Sequence, residues 1–120
     1  MHVLIIEDHD DTRRALERFV SGCGFDVTTA PTLETGRQLL EQQQFGAIVS
    51  DIALPDGTGY ALISEARRRG VSTLAIALSA YDFPADVQEA KVTGFDYHLK
   101  KPIDLPELRS LLETAASHPA

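Results

Sequence analysis

The sequence predicts an α/β domain in which five strands alternate with five helices, a (βα)5 unit whose parallel sheet is wound on both faces. Five short apolar runs recur at Val3–Ile6, Phe25–Thr29, Gly46–Ser50, Leu74–Leu78 and Tyr97–Leu99. The segments between and after them carry apolar residues at a helical rather than an alternating period. The chain has 120 residues, 43% of them hydrophobic and 24% charged, which is ordinary globular usage near the modal size of one domain.

Strands separated by single helices form βαβ units and therefore a parallel sheet, and right-handed crossovers place helices on both of its faces. The first strand is apolar throughout, as is most of the third, which suits buried central positions. The first helix carries Ala15, Leu16, Phe19, Val20 and Cys23 on one stripe. The second helix follows with Leu33, Leu39 and Leu40, and the third with Leu62, Ile63 and Ala66. The fourth, around Val87, Ala90 and Val92, has the weakest stripe, and Gly94 ends it. The fifth carries Leu105, Leu108, Leu111, Leu112 and Ala115, with Asp104 as its N-cap. No linker or low-complexity stretch interrupts the pattern, so residues 1–120 read as one domain with 117–120 as a loose tail.

Eighteen Asp and Glu against eleven Lys and Arg leave a net charge of −7. That balance argues against nucleic acid, whose phosphates demand a basic surface, and against an anionic membrane. No apolar run approaches the ~18 residues of a membrane-spanning helix, and Met1–Ile6 reads as a strand rather than a leader, so a cytoplasmic location is expected. Cys23, the lone cysteine, makes no internal disulfide or metal cluster by itself and reads as a small residue on a helix face.

Ligands of open parallel sheets bind beyond the carboxyl ends of the strands, where the strand order reverses. The first strand ends in Glu7-Asp8, followed by His9-Asp10-Asp11. The third ends in Ser50-Asp51, followed by Ile52-Ala53-Leu54-Pro55-Asp56-Gly57. The fourth ends in Ser79, and the fifth in Lys100-Lys101-Pro102. The second, ending in Thr29-Ala30, offers little. Three carboxylates, a hydroxyl and an ammonium therefore converge on one edge. Carboxylates ~4 Å apart repel by roughly 1 to 4 kcal/mol, so the group needs a counter-charge. Hard oxygen donors suit Mg²⁺, with Mn²⁺ as the alternative ion.

With these residues in order, the sequence resembles the receiver domain of two-component response regulators over nearly its whole length. The resemblance rests on Glu7-Asp8, on Asp51 within Asp51-Ile52-Ala53-Leu54-Pro55-Asp56-Gly57, on Ser79, and on Lys101-Pro102 after Gly94-Phe95-Asp96. It implies a flavodoxin-like sheet of order 2-1-3-4-5. It also implies a phosphorelay role in which Asp51 accepts a phosphoryl group from a histidine kinase or a histidine phosphotransfer protein. Asp8 then resembles the direct Mg²⁺ ligand and Glu7 the acid that holds the metal through water. The family usually has Asp at the place of Glu7, and the longer arm is expected to shift the metal geometry. Ala53 would offer its backbone carbonyl to the metal, Lys101 would pair with Asp51 and then with a phosphoryl oxygen, and Ser79 would hydrogen-bond the phosphoryl group. A cis Lys101–Pro102 peptide is implied as well. Strand alternation turns Lys100 to the other face.

Signal output in the family runs through the hydroxyl at Ser79 and an aromatic side chain on the fifth strand, whose matching position is His98. The face formed by the fourth helix, fifth strand and fifth helix is then expected to signal to a downstream protein. Ala53 and Tyr81 match the positions that line the path of attacking water, which implies slow self-dephosphorylation. The wording around Asp51 and around Phe95-Asp96-Tyr97-His98-Leu99 resembles receivers of hybrid sensor kinases. Arg13, Arg14, Arg18 and Arg67-Arg68-Arg69 read as solvated faces. His9, among oxygen donors and without a second histidine nearby, reads as no metal ligand.

Two other readings compete. Asp8-His9-Asp10-Asp11-Thr12 matches the D-x-D-x-T of haloacid-dehalogenase-type phosphatases, with Asp8 as nucleophile and Asp10 as general acid. No acidic pair follows the lysine, however, and residues 51–57 go unexplained. The second is a receiver-like module that binds partners without being phosphorylated. A dinucleotide-binding domain is excluded, because its first turn needs G-x-G-x-x-G where this chain has acids.

Overall fold

Side chains alternate across each strand, and in the three central strands of the sheet both faces are buried. A computed structural model describes residues 1–80 and 84–117. Its elements in chain order are β1 (His2–Ile6), α1 (Asp10–Gly22), β2 (Asp26–Ala30), α2 (Leu33–Gln42), β3 (Ala47–Asp51), β4 (Ala53–Leu54), β5 (Gly57–Thr58), α3 (Gly59–Arg68), β6 (Leu74–Ser79), α4 (Pro84–Thr93), β7 (Tyr97–Lys100) and α5 (Leu105–Ser117). The five long strands form one parallel sheet in the order β2-β1-β3-β6-β7, which is 2-1-3-4-5 when the short hairpin β4–β5 is set aside.

Two cores flank the sheet. Val3 and Ile5 of β1, with Val49, Ile76, Leu78 and Leu99, pack against Leu16 and Val20 of α1 and Leu108 and Leu112 of α5. Leu4 and Ile6, with Ile48, Ala75 and Ala77, pack against Leu33, Leu62, Ile63 and Ala90 from α2, α3 and α4. Each of these large aliphatic side chains contributes about 1.5–3 kcal/mol on burial, so the two layers fix which way every strand end points.

Asp104 caps α5 as expected, its Oδ1 accepting from the Glu107 N–H at 3.1 Å. Gly94 follows α4 with φ of 114°, a left-handed turn that a side chain would strain, and a Cβ there would lie 2.6 Å from Arg67. Ser117 closes α5 instead of opening a tail, and 118–120 lie outside the described residues.

Three stripe assignments need correction. Ala15, Val92 and Leu105 are exposed, the last two at 70% and 37%. Val92 and Leu105 sit at helix ends, where the stripe has already rotated past the sheet. Cys23 lies just past α1 and is half-buried. The antiparallel β4–β5 hairpin falls within what reads from sequence as a loop. Among the described residues no helix is long and apolar enough to cross a membrane.

Candidate functional site

The carboxyl ends of β1, β3, β6 and β7 meet at one edge, and backbone hydrogen bonds extend the ladders into the loops there. Glu7 N–H donates to Ala30 O at 3.0 Å, Ile52 N–H to Leu78 O at 3.0 Å, and Lys101 N–H to Ser79 O at 2.7 Å. Glu7 and Lys101 thus leave their strands in near-sheet geometry, and the Lys101–Pro102 peptide is cis.

Lys101 Nζ donates to Asp51 Oδ2 at 2.7 Å and to Glu7 Oε2 and Oε1 at 3.2 and 3.3 Å. Asp51 Oδ1 accepts from the Ala53 N–H at 3.2 Å, so both carboxylate oxygens are held. The Glu7 side chain is completely buried and that of Asp51 is 7% exposed. Asp8 Oδ1 is buried with no hydrogen-bond partner among the described residues. Glu7, Asp8, His9 and Asp51 each offer one donor atom, all within 4.8 Å of one another.

Burial pushes the Glu7 carboxyl up, and the hydrogen bond and charge of neighbouring Asp51 push it further, against the opposing effects of Lys101 and His9. Burial alone would lower the Lys101 ammonium, but its hydrogen bond to Asp51 and the charges of Asp51 and Glu7 outweigh that and raise it. Among the described residues, one ammonium therefore serves a cluster of three carboxyl groups, a deficit of positive charge at a largely buried strand edge. The buried, unpartnered Asp8 Oδ1 and the carboxylate oxygens of Glu7 and Asp51 near it fit a hard divalent cation.

The local sequence explains why the edge stays open. Gly59 opens α3 directly behind Asp51, and a Cβ there would lie 2.6 Å from Asp51 O and 3.1 Å from Ser50 Oγ. Its N–H donates to Ile52 O at 2.9 Å, folding the hairpin back under the strand end. Asp56, in the turn of that hairpin, points away from the site. Its Oδ1 and Oδ2 accept from the Leu33 and Glu34 N–H groups at 2.9 and 3.0 Å and cap α2. Asp10 is also directed elsewhere, to Arg13 at 2.6 Å.

Of the residues singled out in the sequence, the structure gathers Glu7, Asp8, Asp51 and Lys101 directly. Ala53 is joined to Asp51 through its N–H, and Ser79 ends β6, buried, one position beyond the residue paired with Asp51. His98 stands apart. It lies three residues before Lys101 on the side of the sheet that faces α4, with a buried Nε2 that has no hydrogen-bond partner among the described residues. It borders a cleft of about 380 Å³ with Val87, Pro102, Asp104 and Glu107. Tyr97 points the opposite way and is 44% exposed. Tyr81 lies outside the described residues.

Two arginines read as solvated need correction. Arg13 donates to Glu7 O at 3.0 Å and Asp8 O at 3.4 Å, holding the acidic turn from behind. Arg67 donates to Gly94 O, Val71 O and Thr73 O at 3.0, 2.9 and 2.7 Å and to Asp96 Oδ2 at 3.1 Å, at the opposite edge of the sheet. The i,i+3 spacing predicts the Asp10–Arg13 pair, but nothing in the sequence marks the carbonyls that Arg13 and Arg67 also hold.

A family model described as the response regulator receiver domain matches residues 3–113. The chain belongs to that family. Among its relatives, this receiver domain is 37% identical over 115 residues to an uncharacterized 14.6 kDa protein in the sodA1 3′ region of Leptolyngbya boryana, covering 94% of this chain and 88% of that protein. It is 34% identical over 113 residues to the response regulator protein PilR of Pseudomonas aeruginosa, covering 93% of this chain but only 25% of PilR. The receiver domain of the Francisella response regulator 1452 superposes with a TM-score of 0.92 at 25% identity, covering 97% of this chain and 96% of that one. The phosphatase reading has no support from these relatives, and Asp10, its general acid, is 66% exposed and tied to Arg13.

Proposed function

We propose that this receiver takes a phosphoryl group onto Asp51 from a phosphohistidine of a histidine kinase or histidine phosphotransfer protein, and passes the change to a downstream protein. The observation that carries the reading is the buried Asp51 carboxylate held between the Ala53 N–H and the Lys101 ammonium, beside the acidic pair Glu7-Asp8. A carboxylate fixed in this way is a positioned nucleophile. As the new P–O bond to Asp51 forms, the P–N bond breaks and the electron pair leaves with the partner's imidazole. Phosphoryl transfer is mostly positioning and charge neutralisation.

Asp8 and Asp51 carboxylates and the Ala53 carbonyl would hold Mg²⁺, or Mn²⁺ in its place, with Glu7 acting through water. When bound, the ion supplies positive charge to the phosphoryl oxygens. Lys101 moves its hydrogen bond from Asp51 to a phosphoryl oxygen, and Ser79 donates its hydroxyl to another. His98 then turns inward and remodels the face of α4, β7 and α5. The added −2 charge is large enough to shift a two-state equilibrium by a few kcal/mol. A histidine-kinase partner acting in the cytoplasm supports a cytoplasmic location for this domain.

The test is incubation with a small phosphodonor and Mg²⁺, read by intact mass and by mapping of the modified residue. One phosphoryl group on Asp51, lost in Asp51→Asn, is the expected result. Label that survives Asp51→Asn and disappears in Asp8→Asn overturns it in favour of the phosphatase reading, and no label at all favours the unphosphorylated binding module.

A further inference from the structure

The acidic turn contains a donor that an all-oxygen Mg²⁺ site does not use. His9 Nδ1 lies 3.1 Å from Glu7 Oε1 and 3.5 Å from Asp8 Oδ1, the oxygen that has no hydrogen-bond partner among the described residues. Together with Asp51, these donors lie within 4.8 Å of one another. Ligand atoms bound at ~2.0–2.1 Å around a tetrahedral ion stand ~3.3–3.4 Å apart, and those around an octahedral ion ~2.9 Å apart. The 3.1 Å separation falls between these values, and the 3.5 Å separation lies just beyond the tetrahedral one. The His9 side chain is 70% exposed and immediately precedes α1, so its imidazole can adjust without disturbing the core.

We propose that His9 converts this pocket into a mixed nitrogen–oxygen site for borderline divalent cations of the Zn²⁺ and Ni²⁺ class, bound through His9 Nδ1, Asp8 and Glu7 beside Asp51, in competition with Mg²⁺. The inference rests on the cation-binding part of the proposed function and names the cations that compete there. Imidazole favours Zn²⁺ and Ni²⁺, whose affinities for a given donor set exceed that of Mn²⁺, whereas Mg²⁺ prefers oxygen and retains its waters. A borderline ion in this pocket engages the same carboxylates that Mg²⁺ needs and excludes it.

The simpler alternative is that His9 only donates a hydrogen bond to Glu7. The two roles separate by metal. Zn²⁺ and Ni²⁺ binding to the metal-free chain is measured by competition with a chromophoric chelator and Mg²⁺ binding by NMR titration, for wild type, His9→Ala, His9→Phe and Asp8→Asn. His9→Ala and His9→Phe are expected to weaken Zn²⁺ and Ni²⁺ by at least the roughly 10-fold that loss of even an outer partner costs a metal site, and Mg²⁺ by less than about 2-fold. The ¹⁵N resonance of His9 Nδ1 is expected to shift on Zn²⁺ addition.

Equal weakening of all three metals makes His9 a positioning residue for Glu7 and overturns the proposal, as does no weakening at all. Full Zn²⁺ affinity in Asp8→Asn places the ion on other histidines and overturns it too. Mg²⁺-dependent labelling of wild-type Asp51 is scored separately. If labelling fails while the metal contrast holds, the phosphoacceptor reading falls and the mixed-donor site stands.

Discussion

Asp8→Asn is expected to stabilise the metal-free domain and to reverse rank with wild type once Mg²⁺ is added. The donor atoms of Glu7, Asp8 and Asp51 lie within 4.8 Å of one another. At that separation, a pair of like charges repels by about 0.9 kcal/mol in a water-like dielectric and about 3.5 kcal/mol at an effective dielectric of 20. Lys101 pairs with Glu7 and Asp51, while Asp8 has only the exposed His9 Nδ1 near its buried oxygen, at 3.5 Å. The Asp8 side chain is 27% exposed, so solvent screening reduces the repulsion. Removing one carboxylate while keeping its shape should therefore yield about 1–2 kcal/mol, a rise in Tm of roughly 3–10 °C for a chain of this size.

Added Mg²⁺ stabilises wild type by about 2.7 kcal/mol at 100 times its Kd, whereas Asp8→Asn has lost a ligand and gains much less. The assay is thermal unfolding by circular dichroism in EDTA and in a Mg²⁺ series. A variant that melts at or below wild type in EDTA, or that gains as much from Mg²⁺, refutes the account of this pocket as an uncompensated acidic cluster.

Gly59→Ala pushes a Cβ to 2.6 Å from Asp51 O, and is expected to cost about 1–3 kcal/mol and to slow phosphorylation by a small donor by about 10- to 100-fold, read by melting and labelling. Asp56→Ala should cost about 1 kcal/mol at pH 7 by leaving the Leu33 and Glu34 N–H groups at the start of α2 without their acceptor, while Thr32 still caps Thr35. The Asp56 carboxyl is held below its ordinary value, chiefly by the Leu33 N–H, so the cap is fully present above the unfolded pKa of about 3.8 and is lost as pH falls through the lower folded value. The Tm difference between wild type and Asp56→Ala should accordingly shrink below pH 4, and a constant difference down to pH 2 would refute it. Arg67→Met leaves the Gly94, Val71 and Thr73 carbonyls and Asp96 without their donor and should cost about 2 kcal/mol in a denaturant melt. Ala53→Asn with Tyr81→Glu should shorten the aspartyl-phosphate lifetime severalfold, and an unchanged hydrolysis rate removes the expectation of slow self-dephosphorylation.

The sequence was most legible where one residue type answers to one physical demand. Strands β1, β3 and β6 had to be apolar on both faces, and their ends then located Glu7, Asp8, Asp51 and Ser79 without any contact being known. Arg13 and Arg67 were illegible for the opposite reason. Their acceptors are mainly backbone carbonyls of Glu7, Asp8, Gly94, Val71 and Thr73, and a carbonyl carries no sequence signal. Val92 and Leu105 misled because a helical period locates a stripe but not the turn at which the helix leaves the sheet. The hairpin β4–β5, with two residues in each strand, is too short for any alternation to register.

The acidic balance divides along the same line. Asp10, Asp56 and Asp96 each have a local partner in Arg13, the α2 N-terminus and Arg67, so their charge is compensated where it stands. Among the described residues, Glu7 and Asp51 share the ammonium of Lys101, while Asp8 beside them has only the exposed His9 near its buried oxygen. A fold selected only for stability would have no reason to bury that deficit beside an oxygen that has no hydrogen-bond partner among the described residues. Under the proposed function, this deficit is the part of the net charge that a divalent cation and a phosphoryl group on Asp51 would both use.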